Sequence, residues 1–177
     1  WLAEDVQLER KVALKFLPED VARDVVAMAE LKRETKGCLE LTHPNIVRVF
    51  DWHEENGLAA ISMEYIDGPT LSTLRLQRKD WIFADWEIRS WLKAACDALE
   101  YAHTQGRVVH RDLKPANIMV NSAGVLKICD FGISRSLGES RSRISGGAIS
   151  GSAGSPPYMS PQHMMGEPPK RTDDVYG

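Results

Sequence analysis

The feature that most constrains this sequence is a polar octet, His110-Arg111-Asp112-Leu113-Lys114-Pro115-Ala116-Asn117. Two short runs follow it, residues 117–121 and 125–129, and the Ser-Ala-Gly turn between them predicts a pair of short strands. Directly after the second run comes Asp130-Phe131-Gly132. An isolated Asp or Lys is usually a solvated surface residue, but these residues taken together favour a catalytic site.

The two motifs resemble the catalytic loop and the metal-binding loop of the protein kinase family. Phosphoryl transfer requires a positioned acceptor hydroxyl and neutralised phosphate charge, with little covalent help from the protein. The resemblance implies that Asp112 orients the hydroxyl and takes its proton, while Lys114 balances charge on the phosphoryl group. Asn117 and Asp130 supply hard oxygen ligands, which suit Mg²⁺, or Mn²⁺ in its place, bound beside ATP.

The first 41 residues predict a strand at 11–17 and a helix from about Asp20 to about Leu41. Glu34 falls on the apolar face of this helix, where a carboxylate is unusual. Val12-Ala13-Leu14-Lys15 resembles the strand that carries the family's nucleotide-binding lysine. The resemblance therefore implies that Glu34 pairs with Lys15 and holds it against the α- and β-phosphates; a solvated Glu34 is the alternative.

Strands are also predicted at 46–52 and 58–64, joined by a hairpin at Glu55-Asn56-Gly57. Residues 61–68 resemble the inter-lobe hinge of the family. By that resemblance Met63 is the gatekeeper, and the backbone of Glu64 and Ile66 binds adenine. Ala13 and Met119 would enclose the purine, although simple core packing explains these two residues as well.

The second half of the chain predicts a long amphipathic helix that begins at Asp85 and stops at Gly106. Its apolar stripe is Ile88, Trp91, Leu92, Ala95, Leu99 and Ala102. The fold class is therefore α+β: a bilobal, kinase-like fold with a small β-rich lobe (1–66) and a mainly helical lobe (67–177). The resemblance also implies truncation at both ends, since residues 1–5 resemble the strand after a Gly-rich loop and 173–177 the start of a central helix anchored by Asp174.

Residues 133–155 are rich in serine and glycine and poor in large apolar side chains, which favours a mobile segment. By position they resemble the activation loop, within an activation segment at 130–162. Arg111 is then expected to bind a phosphorylated loop serine. The candidates are Ser140, Ser142, Ser145, Ser150 and Ser152.

Other positions in the resemblance concern packing and anchoring. His110, Phe131 and Cys38 are expected in an internal stack that links the lobes, and Cys129 is expected to border the nucleotide. Two departures from the family pattern weaken the predicted anchoring of the activation segment. Gln162 stands where the family usually has Glu, and Ser155 where it usually has Thr.

The composition of the chain bears mainly on binding partners and location. The net charge of −3 gives no reason to expect binding to nucleic acid, and no apolar run is long enough to cross a membrane. Three widely spaced cysteines favour reduced thiols and a cytoplasmic location.

The sequence therefore predicts a bacterial-type serine/threonine protein kinase that uses ATP and acts on protein substrates. The resemblance implies serine and threonine rather than tyrosine as the acceptor, because tyrosine kinases typically carry a different sequence from Lys114 onwards after the Asp. A catalytically silent scaffold and a kinase-like phosphotransferase for small molecules remain the alternatives.

Overall fold

The computed structural model describes residues 1–131 and 156–177. The strands are β1 (Leu2–Asp5), β2 (Arg10–Phe16), β3 (Val49–Glu55), β4 (Leu58–Glu64), β5 (Ile118–Val120) and β6 (Leu126–Ile128). The helices are α1 (Glu19–Ala22), α2 (Val25–Leu39), α3 (Leu71–Leu76), α4 (Asp85–Tyr101), α5 (Pro161–Met164) and α6 (Arg171–Tyr176). None of the described helices is both long and apolar enough to span a bilayer.

The first four strands form one antiparallel sheet in the order β1-β2-β4-β3. The predicted hairpin joins β3 to β4, and both Asn56 (φ 51°) and Gly57 (φ 78°) adopt the left-handed conformation that a tight turn of this kind requires. The strand predicted at 46–52 begins later, at Val49, because Ile46 instead bridges to Ile128 of the β5–β6 hairpin. The register places Ala13 opposite Met63, so two predicted nucleotide-site residues are neighbours.

The predicted helix 20–41 is interrupted, and Asp24 is the residue that interrupts it. Asp24 has extended backbone dihedrals, and its carboxylate accepts hydrogen bonds from the N–H groups of Val26 and Ala27, so it caps α2. The residues before it form only the single turn of α1. The predicted cap at Asp20 is therefore wrong. The buried face of α2 is as expected, since Leu31 and Cys38 are fully buried around the partly exposed Glu34.

Helix α4 begins at Asp85 as predicted, but Ala84 holds the cap position and Glu87 accepts a hydrogen bond from its N–H. A π-helical turn, Ala102–Gly106, extends the helix, and Arg107 rather than a glycine adopts the left-handed conformation after it. Gly106 packs closely against Leu41, since a Cβ at residue 106 would lie 2.3 Å from Leu41 Cδ2 and would require that side chain to shift. The helix buries Ala98 and Ala102, whereas Leu92 of the predicted stripe is exposed.

The two lobes share one apolar core and are joined by backbone hydrogen bonds. The N–H of Val47 donates to the carbonyl of Ile128, and the N–H of Ile128 donates to Asn45, each at 2.8 Å. The hairpin β5–β6 is thereby fixed to the small lobe although it lies late in the chain. Its fully buried Ile128 packs in the same core as Leu31 of α2. This connection places Asp130, two residues beyond β6, between the lobes.

Candidate active site

The octet forms a loop in which two polar side chains converge on the carboxylate of Asp112. Lys114 Nζ lies 2.7 Å from Asp112 Oδ2, and Asn117 Nδ2 donates to the same oxygen at 3.1 Å. Asn117 Nδ2 also donates to the backbone carbonyl of Asp112 at 2.8 Å. The structure therefore brings together all three residues predicted to be catalytic. A carboxylate held in this way can orient a hydroxyl and accept its proton.

Asp174 of α6 holds the start of this loop. Its carboxylate accepts hydrogen bonds from the N–H groups of His110 and Arg111, both at 2.8 Å. The buried His103 contributes a third contact through Nε2 at 2.7 Å. Arg111 adopts a left-handed conformation (φ 71°), which costs energy for a non-glycine residue and is maintained by these bonds. The anchoring role expected of Asp174 is thus supported, while nothing in the sequence pointed to His103.

His110 is fully buried and connects the catalytic loop to the residues around Asp130. Its Nε2 lies 2.8 Å from the carbonyl of Cys129, which can only accept, so Nε2 carries the hydrogen. Nδ1 then accepts from the N–H of Asp112 at 3.2 Å. Burial lowers the pKa of His110, which favours this neutral form. The ring also stacks on Phe131, with 4.6 Å between centroids, and Cys38 Sγ contacts the Phe131 carbonyl, so the predicted stack is assembled.

Lys15 and Glu34 do not form the ion pair that the resemblance implies. Lys15 Nζ lies 2.7 Å from Asp130 Oδ1, and Glu34 Oε1 accepts from Arg111 Nη1 at 2.9 Å. Each cation thus neutralises a different partly buried carboxylate, which offsets the cost of burying these charges. The predicted pair is therefore replaced by two pairs, and the contact between Glu34 and Arg111 is one that sequence reasoning missed.

The residues predicted to enclose adenine share one cavity of about 320 Å³ between the lobes. It is lined by Ala13, Met63, Glu64, Ile66, Met119 and Asp130 from the predicted set, together with Val47, Tyr65 and Cys129 among others. The sequence did not indicate Val47 as a site residue, since it lies in an ordinary apolar run. The carboxylate of Glu64 is held by Lys127 at 2.6 Å, which is compatible with the prediction that only the backbone of Glu64 contacts adenine.

A larger cavity, of about 680 Å³, lies on the other side of the sheet. Its lining includes Val12 and Phe16, which alternate along β2 with Ala13 and Lys15. The smaller cavity is the better candidate for a nucleotide, because Asp130 lines it and the partner of Asp130, Lys15, lines another cavity that shares Ala13 and Met63 with it.

The donor set around Asn117 and Asp130 fits a hard divalent cation. Asn117 uses Nδ2 for both contacts with Asp112, so Oδ1 is the amide atom that can ligate a metal. Cys129 donates its N–H to the Asn117 carbonyl at 3.0 Å, which ties the residue beside Asp130 to Asn117. Within residues 1–131 and 156–177, no three His, Cys, Asp or Glu side chains form a metal cluster. A cation here would take its remaining ligands from phosphate and water, as Mg²⁺ commonly does.

The thiols near the site are suited to packing. Burial raises the pKa of Cys38 and the pKa of Cys129 to about 12 in each case. A thiol with such a pKa is almost entirely protonated at neutral pH and is a poor nucleophile. This favours packing, the role expected for Cys129, over thiol chemistry.

Some predicted residues lie outside the described ranges. These are Gly132, Ser155 and the candidate phosphorylation sites Ser140, Ser142, Ser145, Ser150 and Ser152. Of the predicted activation segment, residues 130–131 and 156–162 are described, and Gln162 is exposed. Ser160 donates a hydrogen bond to Asp173, a contact that the sequence did not suggest.

Comparison with known proteins agrees with this geometry. A family model described as protein kinase domain matches residues 2–177. Serine/threonine-protein kinase PknB of Mycobacterium leprae is 37% identical over 179 residues, covering 99% of this chain and 28% of that protein. Serine/threonine-protein kinase PrkC of Bacillus subtilis is 34% identical over 181 residues, covering 99% of this chain and 26% of that protein. The chain thus spans about a quarter of the length of these curated relatives.

The fold is also similar to that of a solved kinase. The crystal structure of the PknI kinase domain from Mycobacterium tuberculosis matches with a TM-score of 0.74 and 26% identity. The match covers 98% of this chain and 61% of that one. The chain therefore belongs to the protein kinase domain family, with bacterial serine/threonine kinases among its relatives and the α+β fold of that family.

Proposed function

We propose that this chain is the catalytic part of a serine/threonine protein kinase, which transfers the γ-phosphoryl group of ATP to hydroxyl groups of proteins. The observation that carries the proposal is the Asp112 carboxylate, held by Lys114 at 2.7 Å and by Asn117 at 3.1 Å. Lys15 and Asp130 form a second group, since they pair at 2.7 Å and Asp130 lines the cavity between the lobes. The first group suits the acceptor and the second suits the nucleotide.

In the proposed reaction, the acceptor oxygen bonds to the γ-phosphorus while the bond from that phosphorus to its bridging oxygen breaks. ADP leaves with the electron pair, and the acceptor proton passes to Asp112. Lys114 neutralises charge on the phosphoryl group, and Lys15 binds the α- and β-phosphates. Asn117 and Asp130 would hold Mg²⁺, or Mn²⁺, which supplies positive charge beside the phosphates.

The experiment is transfer of label from γ-labelled ATP to a mixture of peptides containing serine, threonine or tyrosine. The expected products are phosphoserine and phosphothreonine, with little phosphotyrosine. Asp130→Asn and Lys15→Met should each reduce transfer at least about a hundredfold, because positioning and charge neutralisation provide most of the catalysis. Asp97→Asn, at an exposed ion pair on α4, is the matched control and should keep wild-type activity.

The same experiment separates the alternatives. A silent scaffold gives no transfer to any acceptor, even with Mg²⁺ or Mn²⁺ in excess. A small-molecule phosphotransferase gives label in low-molecular-weight acceptors and none in the peptides. Equal incorporation by wild type and Asp130→Asn contradicts the assignment of Asp130 to the metal.

We also propose that phosphorylation of the loop at 133–155 regulates the enzyme through Arg111. The Arg111 guanidinium now binds Glu34 at 2.9 Å. A phosphate carries nearly two negative charges and would compete for the same guanidinium. Glu34, once released, would be available to Lys15, which is the partner that the family resemblance implies.

We place these residues in the cytoplasm and expect protein substrates rather than nucleic acid. Cys38, Cys96 and Cys129 are all free thiols, which is typical of a reducing compartment. The net charge of −3 gives no electrostatic attraction to a phosphate backbone. Fractionation of cells followed by detection of the protein would test the location.

A further inference from the structure

The short helix α6 carries two consecutive buried carboxylates, and they serve different parts of the site. Asp174 holds the catalytic loop through the N–H groups of His110 and Arg111. Asp173 accepts a hydrogen bond from the hydroxyl of Ser160 at 2.6 Å and one from the N–H of Lys170 at 2.8 Å. Consecutive helical residues point about 100° apart, so one helix can contact two separate segments.

Ser160 is well placed to transmit this contact to the segment before α5. Its Oγ donates to Asp173 and at the same time accepts from the N–H of His163 at 3.1 Å, so it also caps α5. Met159, Ser160 and His163 are all buried. Burial alone would raise the pKa of Asp173, but hydrogen bonds from the Lys170 N–H and the Ser160 hydroxyl lower it, so the carboxylate is ionised. A hydrogen bond to an ionised group is stronger than a neutral one.

The end of α6 also touches the catalytic loop and residue 158 directly. A Cβ on Gly177 would lie 2.7 Å from the carbonyl of Leu113 and 3.4 Å from the carbonyl of Tyr158. Leu113 stands between Asp112, which is assigned to the acceptor hydroxyl, and Lys114, which is assigned to the phosphoryl group. Residues 158–163 are therefore held close to the acceptor side of the site, and Gln162, whose side chain is neutral, is exposed there.

We propose that Asp173 is a positioning residue for the phosphoryl acceptor: through Ser160 it fixes residues 158–163 in register with the catalytic loop that Asp174 holds. This inference rests on the proposed kinase function. It predicts that the loss of Asp173 impairs use of the protein acceptor and leaves use of ATP almost unchanged. A purely structural role would instead reduce the active fraction, with no difference between the two substrates.

The test uses the full natural protein and compares Asp173→Ala, Asp173→Asn and Ser160→Ala. Asp173→Ala should raise the KM for a peptide acceptor about tenfold and change the KM for ATP less than about twofold. Asp173→Asn should recover part of this loss, since its single amide oxygen still accepts from Ser160 Oγ, whereas the amide NH2 cannot replace the second oxygen that accepts from the Lys170 N–H. Ser122→Ala removes another hydroxyl–aspartate hydrogen bond, to Asp67 at 2.7 Å, and is the matched control with wild-type kinetics.

Thermal unfolding of Ser160→Ala, Asp173→Ala and the double variant tests the coupling between Ser160 and Asp173 without a measurement of activity. Each single variant should lower the Tm by about 2–4 °C, and the double variant by less than the sum of the two, because the Ser160–Asp173 hydrogen bond is lost in all three. Additive losses overturn the coupling, and equal increases in the two KM values overturn the positioning role. If the wild type transfers no phosphate, the proposed kinase function itself is contradicted. If the wild type is active but Asp173→Ala changes both KM values equally, only the positioning role of Asp173 is contradicted.

Discussion

At the scale of single residues, the state of the site depends on which carboxylate each cation holds. Lys15 holds Asp130 and Arg111 holds Glu34, and the four side chains are between 17% and 29% exposed. Partly buried charges are costly to separate from their partners. Glu34 is therefore expected to exchange Arg111 for Lys15 only when another anion, such as a loop phosphate, takes its place on the guanidinium.

The first prediction concerns Arg111→Gln. In this variant residue 111 has no guanidinium to exchange between Glu34 and a loop phosphate, so the ratio of activity between phosphorylated and unphosphorylated protein should fall to about one. The measurement is initial rate before and after incubation with ATP, with mass spectrometry of residues 133–155 to define the phosphate content. Arg107→Gln, at an exposed arginine, is the control. A wild-type ratio in Arg111→Gln contradicts the exchange.

The second prediction concerns the pH dependence of stability through His110. Because burial lowers its pKa in the folded protein, the unfolded chain binds a proton below about pH 6.5 while the folded protein does not. The stability that depends on neutral His110 is thus present above pH 6.5 and is lost as the pH falls. This loss should be about 1 kcal/mol between pH 7.0 and pH 5.5.

His110→Gln removes that titration and two hydrogen bonds of the ring. Its free energy of unfolding should be lower than that of the wild type at pH 7.0, but should decline less steeply towards pH 5.5. Urea unfolding at the two pH values measures both slopes. Identical slopes would show that His110 is not held neutral.

At the scale of elements, strand positions could be predicted well from apolar patterns and turn residues. Helix starts could be predicted less well from candidate N-cap residues. Leu58–Glu64 begins and ends where the pattern predicts, since Asn56-Gly57 fixes the turn before it. The start of α2 was wrong because Asp20 and Asp24 are both suitable caps, and only the folded chain shows that Asp24 takes the two N–H groups.

In the site, contacts within one motif were predictable from the sequence, whereas contacts between distant segments were not. Asp112, Lys114 and Asn117 lie in one continuous motif, so their proximity was predictable from the sequence. The partner of Glu34 depends on how α2 packs against a loop far along the chain, which no local pattern encodes. Ser160 and Asp173 are also ordinary residues in sequence, and only their contact reveals a role.

At the scale of the whole molecule, the most unusual feature is an apolar surface on α4. Trp86 is 77% exposed and Leu92 is 63% exposed, while Ala98 on the inner face is fully buried. Large apolar side chains exposed to water favour association. Residues 1–177 expressed alone should therefore associate at micromolar concentration, and Leu92→Lys should reduce this. Light scattering measures the difference, and a monomer of unchanged size in both proteins contradicts the expectation.

The central claim is that Asp112 acts on the acceptor while Lys15 and Asp130 act on the nucleotide. The most direct measurement is the turnover and the ATP affinity of Asp112→Asn in the full protein, with comparable folding verified by circular dichroism. Turnover should fall at least about a hundredfold, while the Kd for ATP changes less than about threefold, because only the acceptor side loses its base. Turnover within a few-fold of wild type, or an equal loss in ATP binding, would contradict this assignment.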